Sequence, residues 1–545
     1  MRVEENNQNL NEVIKSSNKK ANGKVIGMII AIVAVLGIGI GIFAFSGQNK
    51  AAFKKLGGTP EEVVAAALSN TNRKLLLEEE AIQKQLGGDH INSIRNKEAN
   101  ELSFDIVLQS VDGIEDQDIV NAYIKDLGLS GTLQSVKDGS KGNGKLSVTQ
   151  SGIELLGASL YKVDNEIGVS IPKILDTPYA VKLDSLIADY ENSALYQLMG
   201  GESIDEEALA EVQEMMEAFS EYMKGTMNLS TNEEFMTQSE AVQVKLIKEA
   251  NLVEKGRTTL ILSNGKEKEC SVYAGTLTNS QISQFIKDEV NVLMELEFVK
   301  NYFNVVGEQA GYTVEDMLEE INNTEVVNNN DTLEIEILVD DTYFVGANLR
   351  IIDGDTNQEV GTLTFNYAGE KHLTDSIFLE LNMAASEDVA ESMNIKFNFN
   401  QNFGDKADVL TQDLVCSLSA DAIDLGNFTY SYAYDTKAKE DNLNVSFGMD
   451  IENELAMDYT ATGTKTITSE EVSTNLTSAL VSIEEGTENF TLNFGLNYGI
   501  KAIKANDIAM DQTGAQYLLE MTQEELINLV QTIQSNIQVL AFSLM

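Results

Sequence analysis

Apolar and polar residues alternate over long stretches of the C-terminal half of the chain. In the clearest run, residues 490–500, every second residue is apolar and Thr, Asn or Gly stand between. Strict alternation puts apolar side chains on one face of a strand, which is typical of antiparallel sheets with one wet face. It therefore predicts strands joined as meanders rather than as βαβ units. Similar alternation recurs at residues 333–339, 377–383, 395–399, 428–434 and 443–451.

Helical periodicity separates the strand-rich stretches. Thr59-Pro60-Glu61-Glu62 is a strong helix start, because Thr59 can cap the helix, proline suits the first helical position and Glu62 completes a capping box. Gly87-Gly88 is predicted to end this helix. Further helices are predicted over residues 183–227, from Thr278 to about 323, and over about 515–541.

Residues 25–45 form an uncharged apolar stretch. As a helix they would span roughly 30 Å, which matches the hydrocarbon core of a bilayer. Four lysines precede the stretch and three follow it closely, which favours a cytoplasmic N-terminus. We therefore predict an uncleaved signal-anchor with residues 46–545 outside the cytoplasm. Gly37 and Gly41 form a GxxxG pair, a pattern that can mark weak helix dimerisation.

Together these patterns predict an α+β fold. Large curved antiparallel β-sheet meanders would carry amphipathic helices on their concave face, plus one N-terminal transmembrane helix. We count about 15 strands and about six helical segments, so at about 4.8 Å per strand the helices cannot cover the sheet unless it curls. The predicted parts are a cytoplasmic tail (1–24), a transmembrane helix (25–45), a linker (46–58) and two helix-plus-sheet halves (59–276 and 277–545).

A curled sheet with helices along its inner face leaves a long cleft. Aromatic residues of the late strands are predicted to line this cleft or its packed core, and thus to contact a ligand. Side chains that fill the cleft completely are the alternative. The six aromatic residues are Phe397, Phe399, Tyr430, Tyr432, Phe490 and Phe494.

Charge and cysteine content exclude several classes of function. With 38 basic and 86 acidic residues the formal net charge is −48, and such a field repels nucleic acids and anionic lipid surfaces. Cys270 and Cys416 lie far apart without a CxxC or zinc spacing. A buried thiol is predicted for Cys416, and a disulfide between the two stays open. No metal or cofactor is predicted.

Two stretches imitate ligand-binding loops without completing them. Gly139 to Lys145 fits GxxxxGK, but Leu146 replaces the hydroxyl residue and a strand follows; a hairpin loop is the better interpretation. Asp353 to Thr364 resembles a calcium loop but lacks the glycine and the final glutamate, which favours a β-turn. The two histidines are far apart, so histidine-dependent triads and metal centres are poorly supported.

Three features of the chain resemble known proteins. They are the helix start at Thr59, the single apolar stretch and residues 161–186, which read YKVDNEIGVSIPKILDTPYAVKLDSL. In these features the chain resembles uncharacterised single-pass anchored ectodomain proteins of Gram-positive, clostridia-like bacteria. The order of a helix followed by a long meander is also similar to LolA-like lipoprotein-carrier folds. That resemblance implies a curved antiparallel sheet with helices in its concavity, and it carries over no functional residue.

The predicted function is a membrane-anchored, extracytoplasmic, non-catalytic protein that binds or carries an apolar or peptidic ligand in the cell envelope. Its partner would be an envelope lipid, a lipoprotein or another protein. A structural or protein-interaction ectodomain without a pocket is the alternative. A hydrolase that uses two carboxylates comes third, because no particular pair can be singled out among 86 acidic residues.

Overall fold

The structure is a computed structural model that describes most of the chain beyond residue 53. The predicted tail, transmembrane helix and GxxxG pair, and most of the predicted linker, lie outside the described residues. The described residues are 54–200, 233–310, 331–384, 392–403, 408–421, 423–451, 455–485, 488–508 and 514–544, with isolated positions between 215 and 225.

Strands dominate the described residues, and twenty of them belong to a mixed, mainly antiparallel sheet. The alternating run at 490–500 lies within the long strand β19. The strands are β1 (Ala99–Asp112), β2 (Leu127–Val136), β3 (Lys141–Gln150), β4 (Ile153–Val163), β5 (Glu166–Ser170), β6 (Tyr179–Lys182), β7 (Val253–Ile261), β8 (Glu267–Thr278), β9 (Thr332–Val339), β10 (Phe344–Ile352), β11 (Glu359–Tyr367), β12 (Ser376–Met383), β13 (Met393–Asn402), β14 (Val409–Ala420), β15 (Ile423–Asp435), β16 (Leu443–Ile451), β17 (Leu455–Ile467), β18 (Glu471–Glu485), β19 (Glu488–Ile503) and β20 (Gln516–Tyr517).

The described helices precede, interrupt and follow the series of strands. The first begins at the predicted capping box, where the Thr59 N–H donates to Glu62 Oε2 at 2.9 Å. The α-helices are α1 (Pro60–Gln85), α2 (Gly88–Arg95), α3 (Gln117–Ile124), α4 (Leu186–Glu191), α5 (Ala194–Leu198), α6 (Glu233–Glu249), α7 (Asn279–Met294), α8 (Glu297–Ala310) and α9 (Gln523–Leu544).

The described residues fold into two compact units, each built from separate segments of the chain, and the bounds given below apply to the described residues within them. Unit 1 comprises Met1–Ala81, Ala210–Gln401 and Asp413–Asn427. Its strands β7 to β13 follow one another as an antiparallel meander. Helix α1 buries Val64 and Leu68 in a core that also contains the inner faces of β9 to β12. Alternation thus supplies one apolar face, and the helix removes it from water.

Unit 2 comprises Ile82–Leu209, Asn402–Gln412 and Phe428–Met545. Its strands lie in the order β16, β17, β18, β19, β1, β2, β3, β4, β5 and β6, all antiparallel, and β20 pairs in parallel with β6. The ladder between β19 and β1 joins strands from opposite ends of the described chain. Helix α2 buries Ile94 against Val472 and Ile500 beside this ladder.

The predicted fold class is wrong. The described residues form a twenty-stranded mixed sheet with few helices rather than an α+β ectodomain with a helical anchor. Alternation identifies strands but does not show which strands pair, so the parallel β6–β20 ladder was not foreseen. The two units described above interleave along the chain.

The predicted single-pass location is corrected too. Among the helices that the structure describes, none combines the length and the apolar character needed to cross a membrane. Residues 25–45, on which that prediction rested, are not among the described residues. The signal-anchor and the Gram-positive envelope location that went with it are therefore not retained.

Candidate ligand-binding site

Two parallel rows of facing residues cross the sheet of unit 2, and most of their members are apolar. Strand register sets the rows, because directly opposed residues in an antiparallel ladder point to the same side of the sheet. The first row runs from β18 to β5 through Val472, Ile500, Leu102, Leu133, Gly144, Leu160 and Val169. The second runs from β17 to β4 through Lys465, Thr474, Tyr498, Phe104, Gly131, Leu146 and Ala158.

These two rows line a cavity of about 710 Å³ within unit 2. Leu86, just after α1, and Ile91 and Arg95 of α2 contribute to the same cavity from the helical side. Helix α2 covers one end of the rows, near Val472 and Ile500. The cavity thus lies between a broad apolar face of the sheet and the helical segment that contains Leu86 and α2. We call it the unit 2 cavity.

Several large apolar side chains in the cavity are open to solvent. Leu160, Leu133 and Leu146 are 59%, 53% and 50% exposed. Tyr498 and Phe104 are 48% and 37% exposed. Single exposed apolar residues are normal in proteins, but a contiguous apolar patch marks a surface that contacts another molecule. We call Leu102, Leu133, Leu146 and Leu160, together with Phe104, the leucine face.

Two glycines deepen the leucine face where the rows cross β2 and β3. A Cβ atom at Gly131 would lie 2.3 Å from Cε1 of Phe104, so the absent side chain allows that ring to lie over the backbone. At Gly144 a Cβ would meet Leu133 Cδ1 only at 3.8 Å, so the space above this residue is open. The depression therefore belongs to the sheet itself and does not depend on a mobile loop.

One charged side chain lies on the same side of the sheet as the leucine face. Lys465 lies opposite Thr474 in the β17–β18 ladder, and its Nζ is 5.9 Å from the Tyr432 ring and 5.7 Å from the Tyr434 ring. Its Nζ donates to the Tyr432 hydroxyl at 3.5 Å. Burial lowers the pKa of the Lys465 ammonium group, because removal from water disfavours the charged form.

The six aromatic residues predicted from the sequence do not come together. Phe397 and Phe399 lie on β13 and pack against the core of unit 1. Tyr432 and Phe494 pack against the core of unit 2, and Tyr430 is half-buried, which raises its pKa. Phe490 is 36% exposed near the start of β19. None of the six lines the unit 2 cavity, although Tyr432 contacts the lysine that does.

The residues of the leucine face were missed, although their alternation was visible. Leu102, Phe104 and Leu146 occupy alternate positions of β1 and β3. Alternation indicates which face of a strand is apolar, but it does not tell whether a helix covers that face. Only the pairing of β19 with β1 brings these residues beside Tyr498 and Lys465.

Other groups singled out in the sequence have structural roles. Gly139 lies in the β2–β3 turn with φ +72°, so the GxxxxGK stretch is a hairpin. Asp353 Oδ1 accepts the N–H groups of Asp355 and Thr356, which closes a turn between β10 and β11. Cys270 and Cys416 are free thiols, and burial raises the pKa of Cys270 to about 11. Over the described part of the chain, no three His, Cys, Asp or Glu side chains are arranged to hold a metal ion.

Comparison with known proteins adds little. No family model matches the sequence, and no curated protein matches it. Among solved structures, the CymD monoaromatic hydrocarbon channel is 8% identical, with 78% of this chain and 93% of that chain covered and a TM-score of 0.19. The toluene transporter TodX of P. putida is 9% identical, with 76% and 92% covered and a TM-score of 0.11. Such low TM-scores carry no argument about fold or function.

Proposed function

We propose that this protein is a non-catalytic binding protein whose unit 2 holds an apolar ligand against the leucine face. The observation that carries the proposal is the exposure of Leu133, Leu146 and Leu160 along two registered rows of one sheet face. Burying such side chains under a ligand would remove apolar surface from water. Each Å² removed contributes a favourable free energy of about 25 cal/mol.

The size of the cavity supports a small ligand. Small-molecule sites usually measure about 300–1,000 Å³ and are mostly apolar with a few polar groups, and the unit 2 cavity measures about 710 Å³. The void in the core of unit 1, lined by Val64, Leu68 and their neighbours, measures only about 80 Å³. That void is too small for such a ligand. A second cavity of unit 1 measures about 460 Å³, but polar and charged side chains such as Glu359, Glu380 and Asp421 form most of its lining. Unit 2 is therefore the better candidate for an apolar ligand.

Binding of an uncharged dye tests the proposal. Full-length protein titrated with N-phenyl-1-naphthylamine should give a saturable rise in fluorescence. Leu160→Asp should weaken dye binding at least tenfold, because a carboxylate would enter the apolar row. Ile153→Asp is the matched control, since Ile153 is 70% exposed on the same strand but does not line the cavity; its affinity should be unchanged.

The same titration can reject the proposal. Dye binding that does not saturate, or that falls equally in both variants, would show that the leucine face is not a small-molecule site. A folded protein that binds no dye would instead favour the alternative of a surface that contacts another protein.

A further inference from the structure

The charged side chains that line the unit 2 cavity are basic, whereas the net charge of the whole chain is negative. Acidic residues number 86 of 545, yet among the described residues that line the cavity there is no Asp or Glu and there are three basic residues, Arg95, Lys145 and Lys465. An apolar cavity gains nothing from cations unless they meet an anion, because a partly desolvated charge is unfavourable without a partner.

The three cations are not equivalent. Lys145 is already paired, with its Nζ 2.8 Å from Glu154 Oε2, and register places it on the side of β3 opposite to Leu146. For Lys465 and Arg95, no ion pair with a carboxylate occurs among the residues that the structure describes. The ammonium group of Lys465 lies beside the rings of Tyr432 and Tyr434 and donates to the Tyr432 hydroxyl.

We propose that the ligand of the unit 2 cavity is a single-chain anionic amphiphile, of the long-chain fatty acid type. Its carboxylate would pair with Lys465, with Arg95 as the second cation, and its alkyl chain would lie on the leucine face. This inference rests on the proposed function and adds the chemical class of the ligand.

Cavity volume and row length both fit one alkyl chain. A methylene group takes about the volume of a water molecule, so sixteen carbons need roughly 500 Å³, which the 710 Å³ cavity holds, whereas two such chains exceed it. Lys465 and Leu146 are five strands apart in the second row, or about 24 Å at 4.8 Å per strand. That distance is roughly the extended length of such a chain with its head group.

The environment of Lys465 agrees with this assignment. Burial lowers the pKa of its ammonium group, so the charged form is held at a cost in unit 2. A carboxylate beside it would restore a favourable interaction for the charged form, and Tyr498, which lines the cavity, would add a hydroxyl donor.

A tryptophan reporter can measure the head-group preference directly. The chain has no tryptophan, so Leu146→Trp in the full-length protein places a single fluorophore on the leucine face. Hexadecanoate, hexadecyl phosphate, hexadecanol and hexadecyltrimethylammonium are titrated below their micelle concentrations. Hexadecanoate should bind at least tenfold more tightly than hexadecanol, and the ammonium compound should bind no better than hexadecanol. Tighter binding of hexadecyl phosphate than of hexadecanoate would assign the head group as a phosphate and overturn the carboxylate.

Variants of Lys465 and Lys145 distinguish the contribution of the ligand's head group to binding from that of its alkyl chain. Lys465→Met should abolish the preference for hexadecanoate over hexadecanol, and saturable binding of hexadecanol that persists in the variant shows that it is folded. Lys465→Arg should keep at least part of the preference. Lys145→Met, the matched control on the side of β3 opposite to Leu146, should keep all of it.

Each other result has a distinct meaning. If hexadecanoate and hexadecanol bind alike, or if Lys465→Met keeps the preference, the anionic-head inference is wrong while the proposed function stands. If neither compound binds, the proposed function itself fails. A reporter that is already blue-shifted and insensitive to every amphiphile would show that the chain covers its own leucine face, which overturns both.

Discussion

At the scale of single residues, unit 1 contains a buried carboxylate whose charge is matched by donors. Glu78 of α1 is 3% exposed. Its Oε1 accepts the Leu373 N–H at 2.9 Å, and its Oε2 accepts the N–H and the hydroxyl of Thr374 at 3.1 and 2.9 Å. Lys74 Nζ lies 3.4 Å from Oε1. This one side chain ties α1 to the turn that precedes β12.

Removing the Glu78 carboxylate should therefore destabilise unit 1. Glu78→Ala leaves three buried donors unpaired, and we expect the free energy of unfolding of unit 1 to fall by about 3–4 kcal/mol. Urea denaturation followed by far-UV circular dichroism measures it. Glu80→Ala, on the exposed side of the same helix, should change stability by less than about 0.5 kcal/mol. Equal effects would show that the contacts of Glu78 do not stabilise the unit.

A second carboxylate in unit 1 should make stability depend on pH. Burial raises the pKa of Glu289 to about 7, although the Ser239 hydroxyl donates to it at 2.9 Å. Because the folded pKa is above the unfolded one, the folded state binds more protons between pH 4.5 and 7. Stability should therefore fall as pH rises through this window and stay lower above it.

Glu289→Gln should remove this dependence. At pH 8 the variant should be more stable than the natural protein by on the order of 2 kcal/mol, and at pH 4 the two should be alike. Urea midpoints at the two pH values measure the difference. Glu295→Gln, at the exposed end of the same helix α7, should leave the pH profile unchanged. A profile that is unaltered in Glu289→Gln would contradict the assignment.

At the scale of elements, α1 and the strands beneath it do not fill their shared core completely. The void of about 80 Å³ lies between Val64 and Leu68 of the helix and residues of β9 to β11. Val64→Ile adds one methylene toward this void and should raise the free energy of unfolding by about 0.5–1 kcal/mol. Calorimetry or urea denaturation can measure the gain.

Val345→Ile provides the matched comparison. Val345 is equally buried, at 0% exposure, but does not line the void. The same added methylene should here force neighbours apart and destabilise the protein by about 1–3 kcal/mol. A stabilising Val345→Ile, or a destabilising Val64→Ile, would show that the void is not accessible to side-chain repacking.

Elements with local signals were predictable from the sequence. Asp164 lies in the β4–β5 turn with φ +49°, and the Asp164-Asn165 pair between two apolar stretches is a local hairpin signal. Helix α9, within the stretch predicted as helical at about 515–541, starts after Thr522, whose N–H and hydroxyl both donate to Glu525 at 2.7 Å. In each case the residues that interact are at most three positions apart, so the sequence pattern contains the whole interaction.

The sequence did not predict in the same way which strands pair or which strand faces are covered by a helix. The partner of Phe104 in the β1–β19 ladder is Tyr498, and no local pattern links two residues so far apart in the chain. The leucine face depends on this ladder, on the parallel rows and on the small size of α2. Predicting the face required knowing which apolar strands stay uncovered, and alternation alone treats covered and uncovered faces alike.

At the scale of the whole molecule, the two units should respond differently to a ligand. Each has its own core, so we expect two unfolding transitions in calorimetry. Hexadecanoate at a hundred times its dissociation constant should stabilise unit 2 by about 2.7 kcal/mol and leave the transition of unit 1 in place. Glu78→Ala identifies the transition of unit 1 independently. A ligand that shifts both transitions equally would contradict independent units.

The ladder between β1 and β19 also has a consequence for biosynthesis. Asp112 ends β1 and Glu488 begins β19, so a ribosome adding about 5–20 residues per second needs roughly 20–75 s to supply the missing neighbour. During that interval strands β1 to β5 can form, but β1 remains an open edge beside uncovered leucines, a combination that favours aggregation. We therefore expect a nascent chain in this state to depend on a chaperone until β19 emerges.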